Sequence, residues 1–129
     1  MPRFAHVVPR LPTADLARTI DFYTKFLDFR VGNLWPKQAS TFVILDRDGV
    51  SVQFYVLESA APSAMGVAVL SLEVDDALAM HQLLDGRLKV EWGPEVYWYG
   101  RREFAVRDPN GYLIIFSEPT NDPPTCREE

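Results

Sequence analysis

Residues 102–119 read R-E-F-A-V-R-D-P-N-G-Y-L-I-I-F-S-E-P, Arg102 to Pro119. Phe104 to Val106 predicts a short strand, and Tyr112 to Ser117 predicts a second. Between them Asp108-Pro109-Asn110-Gly111 predicts a turn. Pro109 presets φ at the second turn position, and Asn110 and Gly111 tolerate left-handed backbone angles. The stretch therefore reads as a β-hairpin. An earlier stretch, Phe42 to Phe54, repeats its layout. Phe42, Asp46, Gly49 and Phe54 each stand 62 residues before Phe104, Asp108, Gly111 and Phe116. Four matches at one offset mark an internal repeat, and a repeat decides the fold before any single element does.

Working outward, the segments before each hairpin also correspond. Phe4 to Leu11 predicts a first strand, with Pro9 marking an edge or a bulge because proline cannot donate to the ladder. Thr13 or Asp15 can cap a helix. Leu16, Ile20, Tyr23 and Leu27 follow at helical spacing. Phe29 to Leu34 predicts a strand, Trp35 to Gln38 a loop, and Thr41 to Leu57 the first hairpin. Glu58 to Gly66 reads as a linker of small residues. Val67 to Val74 then predicts a strand, Asp75 or Asp76 a cap, and Gly86 a helix stop. Asp76 lies 61 residues after Asp15. Leu88 to Trp92 predicts a strand and Gly93 to Arg101 an aromatic loop before the final hairpin.

The order is βαβββ twice, an α+β fold with module 1 at residues 4–57, a linker at 58–66 and module 2 at 67–119. Residues 120–129 read as a disordered tail. Each module predicts a curved antiparallel sheet with one helix on its outer face. Pairing two such sheets closes a cavity fit for a small ligand.

Composition bounds the function. The chain has 129 residues, 47% of them hydrophobic, with a net charge of −5. One domain of that length can bury a sizeable core. An acidic balance argues against nucleic acid and favours cationic partners. The single cysteine excludes an internal disulfide. No stretch reads as a signal peptide or as an apolar run able to cross a membrane, so the expected location is the cytoplasm.

L-P-T-A-D-L-A-R-T-I-D-F-Y (Leu11 to Tyr23), K-F-L-D-F (Lys25 to Phe29) and F-A-V-R-D-P-N-G-Y-L-I-I-F-S-E-P (Phe104 to Pro119) resemble the vicinal oxygen chelate superfamily. This is the glyoxalase, bleomycin-resistance and extradiol-dioxygenase group. Its usual L-G-F after the first helix is L-D-F here. Aspartate takes a left-handed angle at modest cost, so Asp28 fits the same turn.

Enzymes of that superfamily hold a divalent ion with His, Gln or Glu at four points, and the resemblance carries those points onto this chain. Seven residues before the capping acid stand Val8 and, in the second module, Ala68 or Val69. Seven residues after the turn aspartate stand Gln53 and Ile115. Gln53 alone has an oxygen to give, whereas a catalytic metal takes about three protein ligands. His6 sits two residues from Val8, roughly 7 Å along a strand. Glu73 and Glu118 are expected on the opposite faces from Ala68 and Ile115. His81 is expected on an exposed helix face, and Cys126 has no partner. No metal, cofactor or catalytic residue is therefore expected.

V-P-R-L-P-T-A-D (Val8 to Asp15) and V-S-V-Q-F-Y (Val50 to Tyr55) resemble the bleomycin-resistance branch. That branch implies metal-free homodimers with exchanged elements, binding a cationic drug in crevices at the dimer interface. The expected ligand-binding residues are Trp35, Phe42, Gln53, Phe54, Trp92, Tyr97, Trp98, Tyr99 and Arg102. Rigid aromatic faces with a few polar groups suit a flat heteroaromatic guest. Glu91 and Glu95 suit a cation, and Arg101 or Arg102 a carboxylate or phosphate. The expected function is sequestration of a small aromatic or cationic compound, such as a bleomycin-like antibiotic, in a homodimer. The alternative is a metal-dependent lyase, isomerase or dioxygenase with an atypical ligand set that uses Gln53 and His6.

Overall fold

A computed structural model describes residues 1–59 and 68–126. The chain divides into two compact units, residues 1–62 and 63–129. The linker expected at 58–66 falls, apart from Glu58 and Ser59, outside the described residues.

Each unit is a βαβββ module. The first contains β1 (Arg10–Thr13), α1 (Leu16–Leu27), β2 (Arg30–Trp35), β3 (Phe42–Arg47) and β4 (Val50–Val56). The second contains β5 (Val69–Glu73), α2 (Ala77–Leu84), β6 (Val90–Tyr97), β7 (Arg101–Arg107) and β8 (Leu113–Pro119). The strand orders are β1-β4-β3-β2 and β5-β8-β7-β6. The two sheets are mixed. β1 runs parallel to β4 and β5 parallel to β8, while the other pairs are antiparallel. No helix among the described residues is long and apolar enough to cross a membrane.

Capping fixes both helices. Asp15 accepts from the Arg18 amide and Asp76 from the Ala79 amide. Asp28 closes α1 in the left-handed region at φ 56°, and the amide of Phe29 bonds the Tyr23 carbonyl. Leu16, Thr19, Phe22, Tyr23 and Leu27 bury one face of α1, the spacing a helix on a sheet requires. They meet Val43, Leu45, Val52 and Phe54. Rings of Tyr23 and Phe54 lie 5.1 Å apart, and those of Tyr23 and Phe29 5.8 Å. In the second unit α2 buries Ala77, Met80 and Leu84, and Phe104 stacks on Phe116 at 4.9 Å. Glu118 ties α2 to its sheet by accepting the Ala77 amide at 2.9 Å.

Three expectations need correction. The first strand is not Phe4 to Leu11 but Arg10–Thr13; it begins just after Pro9, whose carbonyl accepts the Gln53 amide. Residues 1–9 lie outside regular structure, with Phe4 and Val7 fully or almost fully exposed. The aromatic loop expected at Gly93 to Arg101 is mostly strand, because β6 continues to Tyr97 through bulges. Trp35 likewise ends β2 rather than opening a loop.

The third correction concerns the tail, which is held in place as far as Cys126. The Thr120 amide bonds the Gly100 carbonyl, Asp122 pairs with Arg102, and the Thr125 amide bonds the Val96 carbonyl. Thr125 Oγ1 in turn accepts the Val96 amide at 2.7 Å. The segment thereby covers the edge of β6. Truncation after Pro119 is expected to leave the fold intact and to expose the Val96 amide. Its hydrogen-exchange protection should fall at least about tenfold, while amides of β7 and β8 stay protected. Unchanged exchange at Val96 would show that the segment does not hold the edge.

Candidate functional site

Strand alternation sorts the side chains of each sheet into a helix-covered face and an open face. In the first sheet the helix-covered face carries Thr13, Val43, Leu45, Val52 and Phe54, all at most 3% exposed. The open face carries two neighbouring rows. One runs Trp35, Phe42, Tyr55 and Pro12, and the other Asn33, Ile44, Gln53 and Arg10. Arg10 links the rows: its Nε donates to Gln53 Oε1 at 2.7 Å, and its guanidinium lies 5.0 Å from the centre of the Phe42 ring. Trp35 remains 66% exposed beside Phe42. The result is a flat aromatic platform carrying one oriented cation, suited to stacking and to a polar group at its rim.

The open face of the second sheet is acidic as well as aromatic. Its central row runs Glu95, Glu103, Ser117 and Glu73, flanked by Trp92, Ala105, Ile115 and Ser71 on one side and by Tyr97 and Arg101 on the other. Tyr97 and Tyr99 stack at 5.6 Å, and Trp92 meets Tyr97 edge-on at 5.8 Å. Tyr99 donates its hydroxyl to Glu103. Burial pushes the Tyr99 hydroxyl well up from the ordinary phenol range, and the bond to Glu103 adds to that. Burial, then Cys126, Glu95 and Glu103, push Tyr97 up as well. Both hydroxyls stay protonated at neutral pH. Gly93 lets β6 approach here: at φ 83°, a Cβ on it would lie 2.3 Å from the Glu103 carbonyl oxygen.

Of the residues the sequence pointed to, Trp35, Phe42 and Gln53 share the first open face, and Trp92, Tyr97 and Tyr99 cluster in the second unit. Trp98 stands exposed in the turn after β6, edge-on to Tyr99 at 5.3 Å. Phe54 and Arg102 lie apart from these groups. Phe54 is fully buried under α1. Arg102 sits on the helix-covered face, paired with Asp122 and 3.8 Å from Glu118. Arg10, Tyr55 and Glu103 were not singled out by sequence. The signal that could have found Arg10 and Tyr55 is their even spacing along a strand with Pro12 and Gln53.

The superfamily's metal positions do not fit a metal. Asp76 is the cap of α2, so the second-module position is Val69 rather than Ala68. Val8, Val69 and Ile115 have no donor atom, and Gln53 already accepts from Arg10. Glu73 lies on the face opposite Ala68 and therefore shares that of Val69. There it pairs with Arg101 at 2.7 Å. His6 lies in the exposed segment before β1, and His81 packs edge-on to Phe104 at 5.3 Å. No cluster of three His, Cys, Asp or Glu suited to a metal occurs among the described residues.

A cleft of about 610 Å³ opens at the end of the first sheet, lined by Asp28, Arg30, Val31, Gly32, Asp46, Arg47 and Asp48. It has no aromatic wall. Asp46 accepts the Ser51 hydroxyl, and Arg47 binds the Leu27 carbonyl and Asp48. Asp46, Arg47 and Asp48 are thus engaged within the fold, and without an aromatic wall the cleft is a weaker candidate than the open faces.

Comparison with known proteins decides the family. The profile described as the Glyoxalase/Bleomycin resistance protein/Dioxygenase superfamily matches residues 3–116. The chain belongs to this superfamily. No match was found among curated protein sequences. Solved structures share the fold. A bleomycin resistance determinant encoded on transposon Tn5 is 22% identical, with a TM-score of 0.73 over 90% of this chain and 98% of its own. The bleomycin-binding protein of Streptomyces verticillus, solved with copper(II)-bleomycin, is 21% identical, with a TM-score of 0.72 over 95% of this chain and 100% of its own. TioX from Micromonospora sp. ML1 is 19% identical, with a TM-score of 0.76 over 90% and 99%.

Proposed function

We propose that this superfamily member is a metal-free homodimeric binding protein. It sequesters a small aromatic or cationic compound, of which bleomycin-like antibiotics are the first to test, in a cleft at the dimer interface. The observation that carries this reading is the first open face. Trp35 is exposed beside Phe42 and Tyr55, and Arg10 is held over Phe42 by Gln53. An exposed aromatic platform of this kind normally marks a binding surface. Val8, Val69 and Ile115 favour binding over metal chemistry, because three of the four superfamily ligand positions lack donor atoms. Phe4 and Val7 stand exposed in a segment that, before Pro9, pairs with no strand among the described residues, and a second copy is the partner that would cover them. The similarity in fold to bleomycin-binding proteins supports the choice of first ligand.

Titrating the purified protein with metal-free bleomycin is expected to quench tryptophan fluorescence at micromolar ligand, with one ligand per chain by calorimetry. Trp35→Ala should weaken binding at least about tenfold without lowering thermal stability, because the side chain is two-thirds exposed. Failure of bleomycin and of a panel of flat aromatic cations to bind would overturn the reading. So would one tightly held metal per chain by plasma mass spectrometry, or a monomer by sedimentation equilibrium.

A further inference from the structure

The second open face holds a carboxylate with no counter-charge. Glu103 is 6% exposed. It accepts the Tyr99 hydroxyl, and among the described residues no cation and no other donor reaches it. Its row neighbours are satisfied differently: Glu73 by Arg101, and Glu95 by the Thr125 hydroxyl. Arg102, next in sequence, points to the other face of the sheet and is taken by Asp122 and Glu118. Glu95 stands directly across the strand pair from Glu103, where a second negative charge repels the first.

A buried charge is ordinarily paired or bound to a cation, because desolvation without compensation is costly. The surroundings of Glu103 are ones a cation would favour. Tyr97 and Tyr99 form a stacked pair and Trp92 stands edge-on beside them, so ring faces and carboxylate together create a local negative potential. The bond from Tyr99 fixes the carboxylate against the rings. The corresponding position in the first sheet is Phe42, which pairs with Trp35 and Tyr55 as Glu103 pairs with Glu95 and Ser117. A ring in one sheet is thus replaced by a charge in the other.

We infer that Glu103, with Trp92, Tyr97 and Tyr99, receives the ammonium group of an organic amine and makes this face selective for protonated amines over neutral compounds of the same shape. This rests on the small-molecule-binding reading above and assigns the charge preference to one residue.

A matched pair of probes tests it: phenethylamine and phenethyl alcohol, titrated into the full chain at neutral pH and followed by NMR chemical shifts. The amine is expected to bind roughly tenfold tighter than the alcohol, the scale of one charge-assisted hydrogen bond. Glu103→Gln, which keeps the shape, should remove that preference by weakening the amine alone. Tyr99→Phe, which keeps the carboxylate, should retain it, so a loss of preference there overturns the assignment. Equal binding of amine and alcohol to the native protein overturns the charge assignment and leaves the binding reading standing, as does a preference that survives Glu103→Gln. If neither probe binds and bleomycin also fails, both readings fall.

Discussion

Phe54→Ala is expected to lower the free energy of unfolding by about 3–5 kcal/mol, the cost of truncating a fully buried phenylalanine. Phe54 has no exposed surface and touches Tyr23, the most buried large residue of α1, at a ring distance of 5.1 Å. Truncation leaves a cavity between helix and sheet and removes an aromatic pair worth about 0.5–1.5 kcal/mol by itself. Against a total stability of roughly 5–15 kcal/mol, the loss is a large fraction. Urea unfolding followed by circular dichroism measures it. Under conditions where the variant remains folded, ligand affinity should match the native protein. A loss below about 1 kcal/mol together with abolished binding would place Phe54 at the ligand rather than in the core.

The placement of Phe54 shows where reading this sequence succeeds and where it stops. Elements set by local chemistry were legible. Asp15 and Asp76 cap the helices, Asp28 turns the chain in the left-handed region, and Asp48-Gly49, both at positive φ, close the first hairpin as a two-residue turn. The doubled βαβββ order followed from these signals. Facing was harder, because one residue of slip sends every side chain to the other face. Gln53 and Phe54 are neighbours in one strand, so they cannot both line one face. Arg101 and Arg102 divide in the same way.

The repeat offset itself shifts inside the hairpin. Phe54 and Phe116 keep the offset of 62, but their cross-strand partners are Val43 and Phe104, and 104 − 43 = 61. The second hairpin has a longer turn than the first. Phe42 therefore corresponds to Glu103, and the acid at the centre of the second face was hidden behind an apparent match of two phenylalanines. Bulges in β6 hid its neighbours too. Trp92 and Glu95 are an odd number of residues apart and yet share the open face, because register shifts around Gly93 and Pro94.

Asp108→Ala is expected to cost about 2–4 kcal/mol of stability and to leave ligand affinity unchanged. Asp108 is the turn acid of the D-P-N-G motif that carries the resemblance to the superfamily, and it is 5% exposed. Its Oδ1 accepts the amides of Asn110 at 2.8 Å and Tyr112 at 3.0 Å, and its own amide bonds the Tyr112 carbonyl. Hydrogen bonds to an ionised acceptor contribute about 1.5–3 kcal/mol each, and alanine would remove the acceptor of one buried and one part-buried amide at once. Asp108→Asn keeps an acceptor oxygen without the charge and should cost about half as much. The turn holds β7 against β8, and β7 carries Glu103 in the middle of the acidic row. Its expected role is thus to hold the proposed binding face in register while taking no part in binding. Thermal denaturation of both variants beside amine titrations separates the two roles. A variant of native stability that has lost its ligand would move Asp108 from the scaffold to the site.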